Sequence, residues 1–421
     1  MDITRALKTM RDHWWVFFYK RCLVGFPWFW PARHLSEPVM AKARRAIRWH
    51  FGRDHHPLQR ALAKTLTMIA WPPAILVHLW QIRRFWGPEE MPLRRAPGAI
   101  WAAMRHNILP GEYYAYALWL PERRINIDSY LYSHEAARIF KILNRPLQID
   151  PIGDKLTFWL MCKTHALPSP EVLAAFAPTG ALLEFQSGRP PEFDLFVKPR
   201  VGLAGNGAER FRWRGSAFES EGGCRIGKQD LVDHLATRAR NENRTLLVQP
   251  NLSNAPELHL EINQALATAR LVTGHSTGGD VVAIFGFIYF ARSDRITAQH
   301  GHVALIDVVD GRLVRAAGKH RSEGKRSNPA YDINDAYMDQ HLGRVLPNWH
   351  AALQCAKAAH LLCSNIAFVG WDIALTSEGP MLLEGNANWS ADEYQSLTGE
   401  PLGHTQFSTV LADRLRECGF T

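Results

Sequence analysis

Two carboxylates and one amide near the end of the chain are spaced to meet across a hairpin. Residues 370–375 and 381–388 are both mostly apolar, and a Ser-Glu-Gly-Pro turn sequence lies between them. Pairing of the two halves would bring Asp372 opposite Glu384 and Asn386. Oxygen ligands of this kind suit Mg²⁺, which keeps its other positions for water and phosphates. The hairpin therefore predicts a magnesium site; the alternative is a hairpin with ordinary polar residues on its exposed face.

A lysine and a glycine-rich loop form a second candidate site. The strand-like segment 195–198 ends in Lys198, and Gly202, Gly205 and Gly207 follow. Glycines allow backbone N–H groups to approach an anion, and the lysine supplies a positive charge for phosphate oxygens. The loop is neither a Walker loop nor a dinucleotide fingerprint, so a simple turn beside an exposed lysine remains an alternative.

A second lysine, Lys155, opens a segment with helical periodicity that gives way to Leu-Pro-Ser-Pro at 167–170. At the start of a helix, a lysine adds a cation where backbone N–H groups already favour an anion. A solvated first-turn lysine is the alternative.

The order of these features resembles the ATP-grasp superfamily: a helix-start lysine, a strand lysine with a glycine loop, an apolar strand at 245–250, and the carboxylate hairpin. The sequence Gly-Trp-Asp-Ile-Ala-Leu, followed by Gly-Pro-Met-Leu-Leu-Glu-Gly-Asn, is most similar to the sugar-transfer-associated ATP-grasp family, found beside polysaccharide genes. The resemblance runs from about Asp154 to Asp413. It implies an α+β ATP-grasp fold, in which two α+β lobes clasp ATP.

The resemblance also implies roles for single residues. It assigns the ATP phosphates to the lysines and the glycine loop, the adenine to a hinge strand, and the ribose to a glutamate beyond the hinge. The implied cofactor-binding residues are Lys155, Lys198, Gly202, Gly205, Asn206, Gly207, Val248, Gln249 and Glu257, with Glu261 as a rival to Glu257. The implied metal ligands are Asp372, Glu384 and Asn386.

The implied catalytic residues are Arg270 and Lys198. Arg270 lies in a strand-like segment, 268–273, and would stabilise an acyl-phosphate or tetrahedral intermediate by its charge. The alternative for Arg270 is an edge-strand arginine paired with a local acid.

The resemblance implies a carboxylate–amine ligase that uses ATP and Mg²⁺. The γ-phosphoryl group would pass to a carboxylate, and an amine would attack the acyl phosphate to give an amide, ADP and phosphate. The substrates would be small or saccharide-linked carboxylates and amines, in polysaccharide or cell-envelope modification. Two alternatives are a phosphotransferase (kinase) acting on a saccharide-type acceptor and a non-catalytic, membrane-associated nucleotide-binding protein.

Two further motifs are not assigned to catalysis. Gly-His-Ser-Thr-Gly at 274–278 matches a nucleophile elbow, but the apolar segment 281–285 after it predicts a strand where an elbow requires a helix. His300 and His302 stand where the family tends to have an asparagine and glycines, and we expect them to be structural.

Composition fits a folded enzyme. The 421 residues are 47% hydrophobic and 21% charged, enough for two or three domain cores. The six cysteines contain no Cys-x-x-Cys pair, and no secretory signal is evident, so we expect reduced thiols and a cytoplasmic location.

The positive charge is concentrated at the N-terminus. Residues 1–100 contain 17 Lys/Arg and 6 Asp/Glu, so the rest of the chain is slightly acidic. The same 100 residues contain 8 of the 15 tryptophans. Within this part, residues 65–80 form an uncharged run that is shorter than the roughly 20 residues of a spanning helix. Pro72 and Pro73 predict a break into two helical segments.

Two settings suit these basic, aromatic segments. They match a peripheral anchor on anionic lipid at the inner face of a membrane. The alternative is helices that pack on the catalytic region with a basic outer face. No nucleic-acid-binding motif is present, and we expect no nucleic-acid partner.

These observations predict four regions and a mobile loop. The regions are a basic helical N-terminal extension (1–105, with 91–98 as exit linker), a pre-ATP-grasp region (106–151), a lobe with the lysines and glycine loop (152–250), and a C-terminal lobe with the Mg²⁺ site (251–421). The stretch from Trp101 to about Pro151 is predicted to be helical, with 101–104 and 133–143 as its main segments. The loop is 319–329.

Overall fold

Helices occupy the first part of the chain, and strands dominate the remainder. The computed structural model describes residues 38–54, 56–89, 91–144, 152–202, 206–260, 265–290, 302–318 and 339–420. The helices are α1 (Pro38–Asp54), α2 (Pro57–Trp86), α3 (Ala96–His106), α4 (Pro110–Ala115), α5 (Pro121–Arg124), α6 (Ser133–Leu143), α7 (Lys155–Thr164), α8 (Leu231–Glu242), α9 (Trp349–Leu362), α10 (Asp392–Thr398) and α11 (Gln406–Glu417).

The described strands form two antiparallel sheets. They are β1 (Ala174–Ala177), β2 (Gly180–Leu183), β3 (Leu195–Pro199), β4 (Glu209–Trp213), β5 (Ala217–Ser220), β6 (Arg225–Gly227), β7 (Leu246–Pro250), β8 (Thr268–His275), β9 (Val281–Phe290), β10 (His302–Ile306), β11 (Leu313–Gly318), β12 (Phe368–Thr376) and β13 (Gly379–Asn386). The first sheet has the order β2-β1-β7-β3-β4-β5-β6, and the second has β11-β10-β9-β8-β12-β13.

One face of the first sheet packs against α8. Leu195 and Val197 of β3 are buried in a core that also contains Leu231 and Leu235 of α8. Because side chains alternate along a strand, Lys198 lies on the opposite face. The strand alternation thus directs this lysine away from the core.

The second sheet is covered on both faces. On one face, Trp349 and Ala356 of α9 pack against β8, β9 and β12. On the other, Phe140 of α6 and Phe407 of α11 surround Phe368 of β12. The site described below lies on this sheet, around β12 and β13.

Helix α1 is part of the core that contains Phe140, Phe368 and Phe407. Met40 and Ala43 are fully buried in it. Arg44 donates to the Glu135 carboxylate at 2.8 Å and to the Asp128 carbonyl at 2.8 Å. Helix α1 therefore matches the second of the two settings considered for the basic segments, in which a helix packs on the strand-rich part of the chain.

Helix α2 corrects the predicted break at the two prolines. It runs without interruption through Pro72 and Pro73, which are both exposed. The carbonyls that lose a helical hydrogen bond to these prolines can be hydrated, and Trp71 anchors the helix by donating to the Ala103 carbonyl at 3.3 Å. Tertiary packing therefore outweighs the local cost of the prolines.

The predicted linker at 91–98 is also corrected. A 3₁₀ turn occupies Leu93–Arg95, and α3 follows directly with Pro97 in its first turn. Proline is well tolerated there because a first-turn N–H has no helical acceptor. Helix α3, which contains residue 105, and helix α4 share one core, which includes Ala102 and Tyr114. The division into four regions stays a proposal.

Several elements lie where the sequence predicts them. Helix α6 covers the predicted segment 133–143, and β7, β8 and the β12–β13 hairpin match the predicted strands. Among the helices that the structure describes, none is both long and apolar enough to cross a bilayer. The tryptophans before residue 38 and the loop 319–329 lie outside the described residues.

Candidate functional site

Three charged side chains lie in register across the second sheet. On neighbouring strands, Asp372 pairs with Arg270 on one side and with Glu384 on the other. The hairpin register shifts by one residue next to Asp372, so that Leu383 is the extra residue on β13. Without this bulge, Asp372 would face Leu383. The bulge therefore creates the row Arg270–Asp372–Glu384.

Arg270 and Asp372 form a bidentate ion pair. Arg270 Nη2 donates to Asp372 Oδ2 at 3.0 Å, and Nε makes a short contact with Oδ1. Burial opposes the charge of Arg270, but the Asp372 carboxylate raises its pKa. Gly370 makes room for this arginine, since a Cβ there would lie 3.3 Å from Arg270 Cδ and 3.1 Å from Trp389 Cβ.

Lys155 is fixed at the start of α7 by its neighbour. Asp154 caps the helix by accepting from the N–H groups of Leu156 and Thr157 at 3.0 and 2.9 Å. The same carboxylate accepts from Arg200 Nε at 2.6 Å, which ties the helix start to the end of β3. The predicted helix-start position of Lys155 is confirmed, whereas the sequence interpretation overlooked the role of Asp154. The signal was a capping residue directly before the helix.

The Lys155 side chain connects the two sheets. Its Nζ lies 3.3 Å from Glu384 Oε2 and donates to the Gly202 carbonyl at 2.9 Å. One lysine thus contacts both the carboxylate row and the first glycine of the loop.

Lys198 lies in the same electrostatic environment. Burial lowers its pKa to about 8, and the positive charge of Lys155 acts in the same direction. Glu384 and Asp372 act in the opposite direction. With Arg270, the two lysines give three positive charges against the two carboxylates, so an added anion such as a phosphate would be favoured here.

The two carboxyl groups differ in their proton affinity. Burial raises the pKa of Asp372 to about 6 although Arg270 favours its ionised form. Burial also disfavours ionisation of Glu384, but Lys155 and Lys198 outweigh it and hold its pKa below the ordinary value. Asn386 Nδ2 donates to Glu384 Oε1 at 3.4 Å. Glu384 is therefore the more firmly ionised group of the pair.

The donor set fits a hard cation. Asp372, Glu384 and Asn386 offer carboxylate and amide oxygens on adjacent strands, which is the ligand chemistry that Mg²⁺ prefers. Nearby lysines now compensate the carboxylate charge. Across the described ranges, no group of three or more His, Cys, Asp and Glu side chains could hold a metal ion. A metal here would therefore rely on the amide and on oxygens from water or substrate.

The described ends of the glycine loop are exposed, and one of them, Gly202, contacts Lys155. Asn206 and Gly207 are exposed, and Arg238 Nη2 donates to the Gly207 carbonyl at 2.8 Å. Gly207 has φ +78°, and a Cβ there would lie 2.9 Å from Arg244 Nη1. Gly205 lies outside the described residues.

The residues assigned to the adenine, Val248 and Gln249, lie in β7 of the first sheet, and Glu257, assigned to the ribose, lies beyond the end of that strand. Val248 is buried between β1 and β3, and its carbonyl accepts from the Leu173 N–H at 2.8 Å. Gln249 is buried and donates to the Pro170 carbonyl at 2.9 Å. Adenine contacts from these two groups would replace existing hydrogen bonds. Glu257 is exposed in a 3₁₀ turn after β7, and Glu261 lies outside the described residues.

Two residues near Arg270 were missed from the sequence. Tyr289 makes a short hydrogen bond to the Glu393 carboxylate, and both groups act on the charge of Arg270. These two residues are 104 positions apart, so no local pattern connects them. The only sequence signal was the acidic pair at 392–393 shortly after the hairpin.

The remaining motifs have the expected structures. The Gly-x-Ser-x-Gly match is the turn between β8 and β9, where Ser276 donates its backbone N–H to Asp280. His302 is a strand residue of β10 that pairs with Phe290 and Gly318. His300 lies outside the described residues.

Known structures show distant similarity. They include an L-amino acid ligase from Bacillus licheniformis (10% identity, TM-score 0.36, 69% of this chain and 57% of that one) and a D-alanine–D-alanine ligase from Bacillus anthracis (9%, 0.36, 64% and 69%). A third is the N5-carboxyaminoimidazole synthetase from Staphylococcus aureus complexed with ADP (10%, 0.34, 67% and 58%). These scores are too low to support an argument, and the match spans little more than half of the first ligase.

A comparison with curated proteins found no match. The family comparison is decisive, because the family described as sugar-transfer-associated ATP-grasp matches residues 135–408, more than half of the chain. The matched range contains all of the carboxylate row and both lysines. This protein, whose two antiparallel sheets meet at that row, belongs to the sugar-transfer-associated ATP-grasp family and has an ATP-grasp fold.

Proposed function

We propose that this protein is an ATP- and Mg²⁺-dependent carboxylate–amine ligase that forms ADP and works through an acyl phosphate. The observation that supports the proposal most strongly is the row Arg270–Asp372–Glu384 with Lys155 at its end. It combines anionic oxygens for a cation, cations for phosphates and an arginine for the reacting group in one place.

The residues divide the work by charge. Lys155 and Lys198 would bind the ATP phosphates, and the loop 202–207 would cover them. Asp372, Glu384 and Asn386 would hold Mg²⁺, which would neutralise phosphate charge when bound. Val248 and Gln249 would contact the adenine and Glu257 the ribose.

Arg270 would stabilise the acceptor part of the reaction. A substrate carboxylate oxygen forms a bond to the γ-phosphorus as the bond to ADP breaks. An amine then attacks the carbonyl carbon, phosphate leaves, and the nitrogen loses a proton. Negative charge develops on the acyl oxygen in the second step, as the amine adds to the carbonyl carbon, and the Arg270 guanidinium, whose side chain is 25% exposed, would offset it. Lys198 would assist from the phosphate side.

The cellular role is proposed from the family description alone. A family associated with sugar transfer suggests carboxylates or amines that are small or linked to a saccharide, in polysaccharide or cell-envelope modification. We place the protein in the cytoplasm, with peripheral contact to the inner face of a membrane through residues 1–100.

A substrate panel tests the reaction. Purified protein with MgATP would be given amino acids, uronic acids and amino sugars singly and in pairs. ADP release that requires both a carboxylate and an amine supports the ligase. ADP release with a single hydroxyl acceptor would contradict it in favour of a kinase, and AMP release would contradict the acyl-phosphate route.

A further inference from the structure

Helix α2 presents two different faces. Trp71, Ile75 and His78 are buried, and they lie against α3 and α4. Three large apolar residues on another face are more than half exposed: Ile69 (68%), Leu76 (58%) and Trp80 (60%). Their separations of seven and four residues place them on one side of the helix.

The exposed side is long as well as apolar. Leu58, which is 74% exposed, lies eleven residues before Ile69 and therefore on the same side. At 1.5 Å per residue, Leu58 to Trp80 spans about 33 Å. Pro72 and Pro73 are exposed within this span and add further apolar surface. Ile69, Pro72, Pro73, Leu76 and Trp80 thus lie close together in a strip on one side of the helix, and Leu58 lies on the same side beyond Ala61 and Thr65.

The charge of the helix indicates what covers this strip. Over its 30 residues, α2 has four basic residues and no aspartate or glutamate. The Arg84 guanidinium lies 5.6 Å from the ring centre of Trp80, at one end of the strip. A tryptophan beside an arginine suits the boundary between lipid chains and anionic headgroups. A protein surface would not require the complete absence of acidic residues along the helix.

We propose that the exposed face of α2, formed by Leu58, Ile69, Pro72, Pro73, Leu76 and Trp80, docks on the surface of an anionic lipid bilayer. The helix lies parallel to the bilayer, with its apolar side chains at the level of the headgroups and Arg84, beside Trp80, on a lipid phosphate. The buried face meanwhile holds the rest of the protein at the membrane. This inference rests on the membrane contact proposed above for residues 1–100 and assigns it to one face of α2; it is independent of the proposed reaction, since none of these residues belongs to the candidate site.

Vesicle flotation of the full chain tests the proposal. Wild type should float with vesicles of phosphatidylcholine containing about 30% phosphatidylglycerol, less with phosphatidylcholine alone, and less at high salt. The variant Ile69→Ser/Leu76→Ser/Trp80→Ser should lose binding by about ten-fold or more, because three anchoring side chains are removed. The matched variant Ile125→Ser/Leu182→Ser/Val309→Ser replaces three exposed apolar residues in other elements and should float like wild type.

Two outcomes would overturn the proposal. One is flotation of wild type and of the α2 variant to the same extent, which would place the contact elsewhere. The other is that wild type does not float with vesicles. This includes the case in which light scattering shows that wild type is a dimer and that the α2 variant is a monomer. Because the replaced residues are exposed, thermal unfolding of both triple variants should match wild type, which confirms that each is folded.

Discussion

At the scale of single residues, the group that each charged side chain faces decides its role. Lys155 contacts Glu384 at 3.3 Å, whereas Lys163, two turns later on the same helix, pairs with Glu171 at the surface. The two lysines share a helix and a residue type but differ in what they face. They are therefore a matched pair for testing the phosphate site.

We expect Lys155→Met to weaken binding of a non-hydrolysable ATP analogue by about ten-fold or more, because a charge-assisted phosphate contact is lost. Isothermal titration calorimetry would measure the affinity. Lys163→Met should bind the analogue like wild type. Equal affinity of the two variants would remove Lys155 from the nucleotide site.

At the scale of elements, the glycine loop and the helix junctions each depend on a few backbone positions. Gly207 in the loop and Gly215 in the turn between β4 and β5 have nearly equal φ values, +78° and +79°. A Cβ at Gly215 would meet no atom within 4 Å, whereas one at Gly207 would press on Arg244 and Pro199. The pair separates backbone strain from loop packing.

Gly207→Ala and Gly215→Ala should each lower the melting temperature by a few degrees, since alanine at positive φ costs about 1 kcal/mol. Only Gly207→Ala should also weaken ATP-analogue binding, because it displaces the loop. Calorimetry and thermal unfolding of both variants would show this. Unchanged affinity in Gly207→Ala would indicate that the loop makes no contact with nucleotide.

The junction of α4 and α6 contains a buried acid. The Glu112 carboxylate accepts from the N–H groups of Leu109 at 3.0 Å and Ser133 at 2.8 Å. Burial, reinforced by the negative charge of Asp392, raises its pKa from 4.5 to about 8. Ionisation therefore costs more in the folded than in the unfolded chain, and this cost is absent below about pH 4.5 and complete above about pH 8.

The stability of wild type relative to Glu112→Gln should consequently decline as pH rises between these limits. Urea unfolding at several pH values would measure it, and the loss of one acceptor oxygen in the variant adds only a constant offset. Glu122→Gln, at an exposed position on α5, is the matched control for loss of a glutamate charge. Parallel curves for wild type and Glu112→Gln would show that Glu112 does not titrate in this range.

The sequence predicts those parts of the site that are set by local pattern. Alternation and a turn sequence are enough to predict the β12–β13 hairpin, and helical periodicity predicts that α7 starts at Lys155, although that interpretation overlooks the capping role of Asp154. The bulge at Leu383 is not predictable, because the turn alone would place Leu383 opposite Asp372. Tyr289 and Glu393 meet only through the tertiary fold. Packing of Trp71 also overrides the break that two prolines predict.

At the scale of the whole molecule, charge and packing divide the protein into a site and a surface. Lys155 links α7 to Glu384 of β13 and to the Gly202 carbonyl beyond β3, at the end of the carboxylate row. Helix α1 contributes to the core behind that row, while α2 keeps one apolar face exposed, with Arg84 at its end. The arrangement allows catalysis and membrane contact to be tested separately.

The most direct test of the central claim is MgATP turnover, in the presence of the carboxylate and amine pair that the substrate panel identifies, by wild type, Glu384→Gln and Glu378→Gln, with ADP and AMP measured separately. Glu384 is one of the proposed metal ligands, and Glu378 is an exposed glutamate in the turn of the same hairpin. We predict ADP formation by wild type and Glu378→Gln, stopped by chelation of Mg²⁺, and loss of turnover in Glu384→Gln. Turnover by Glu384→Gln within a few-fold of wild type would contradict the assignment of this site.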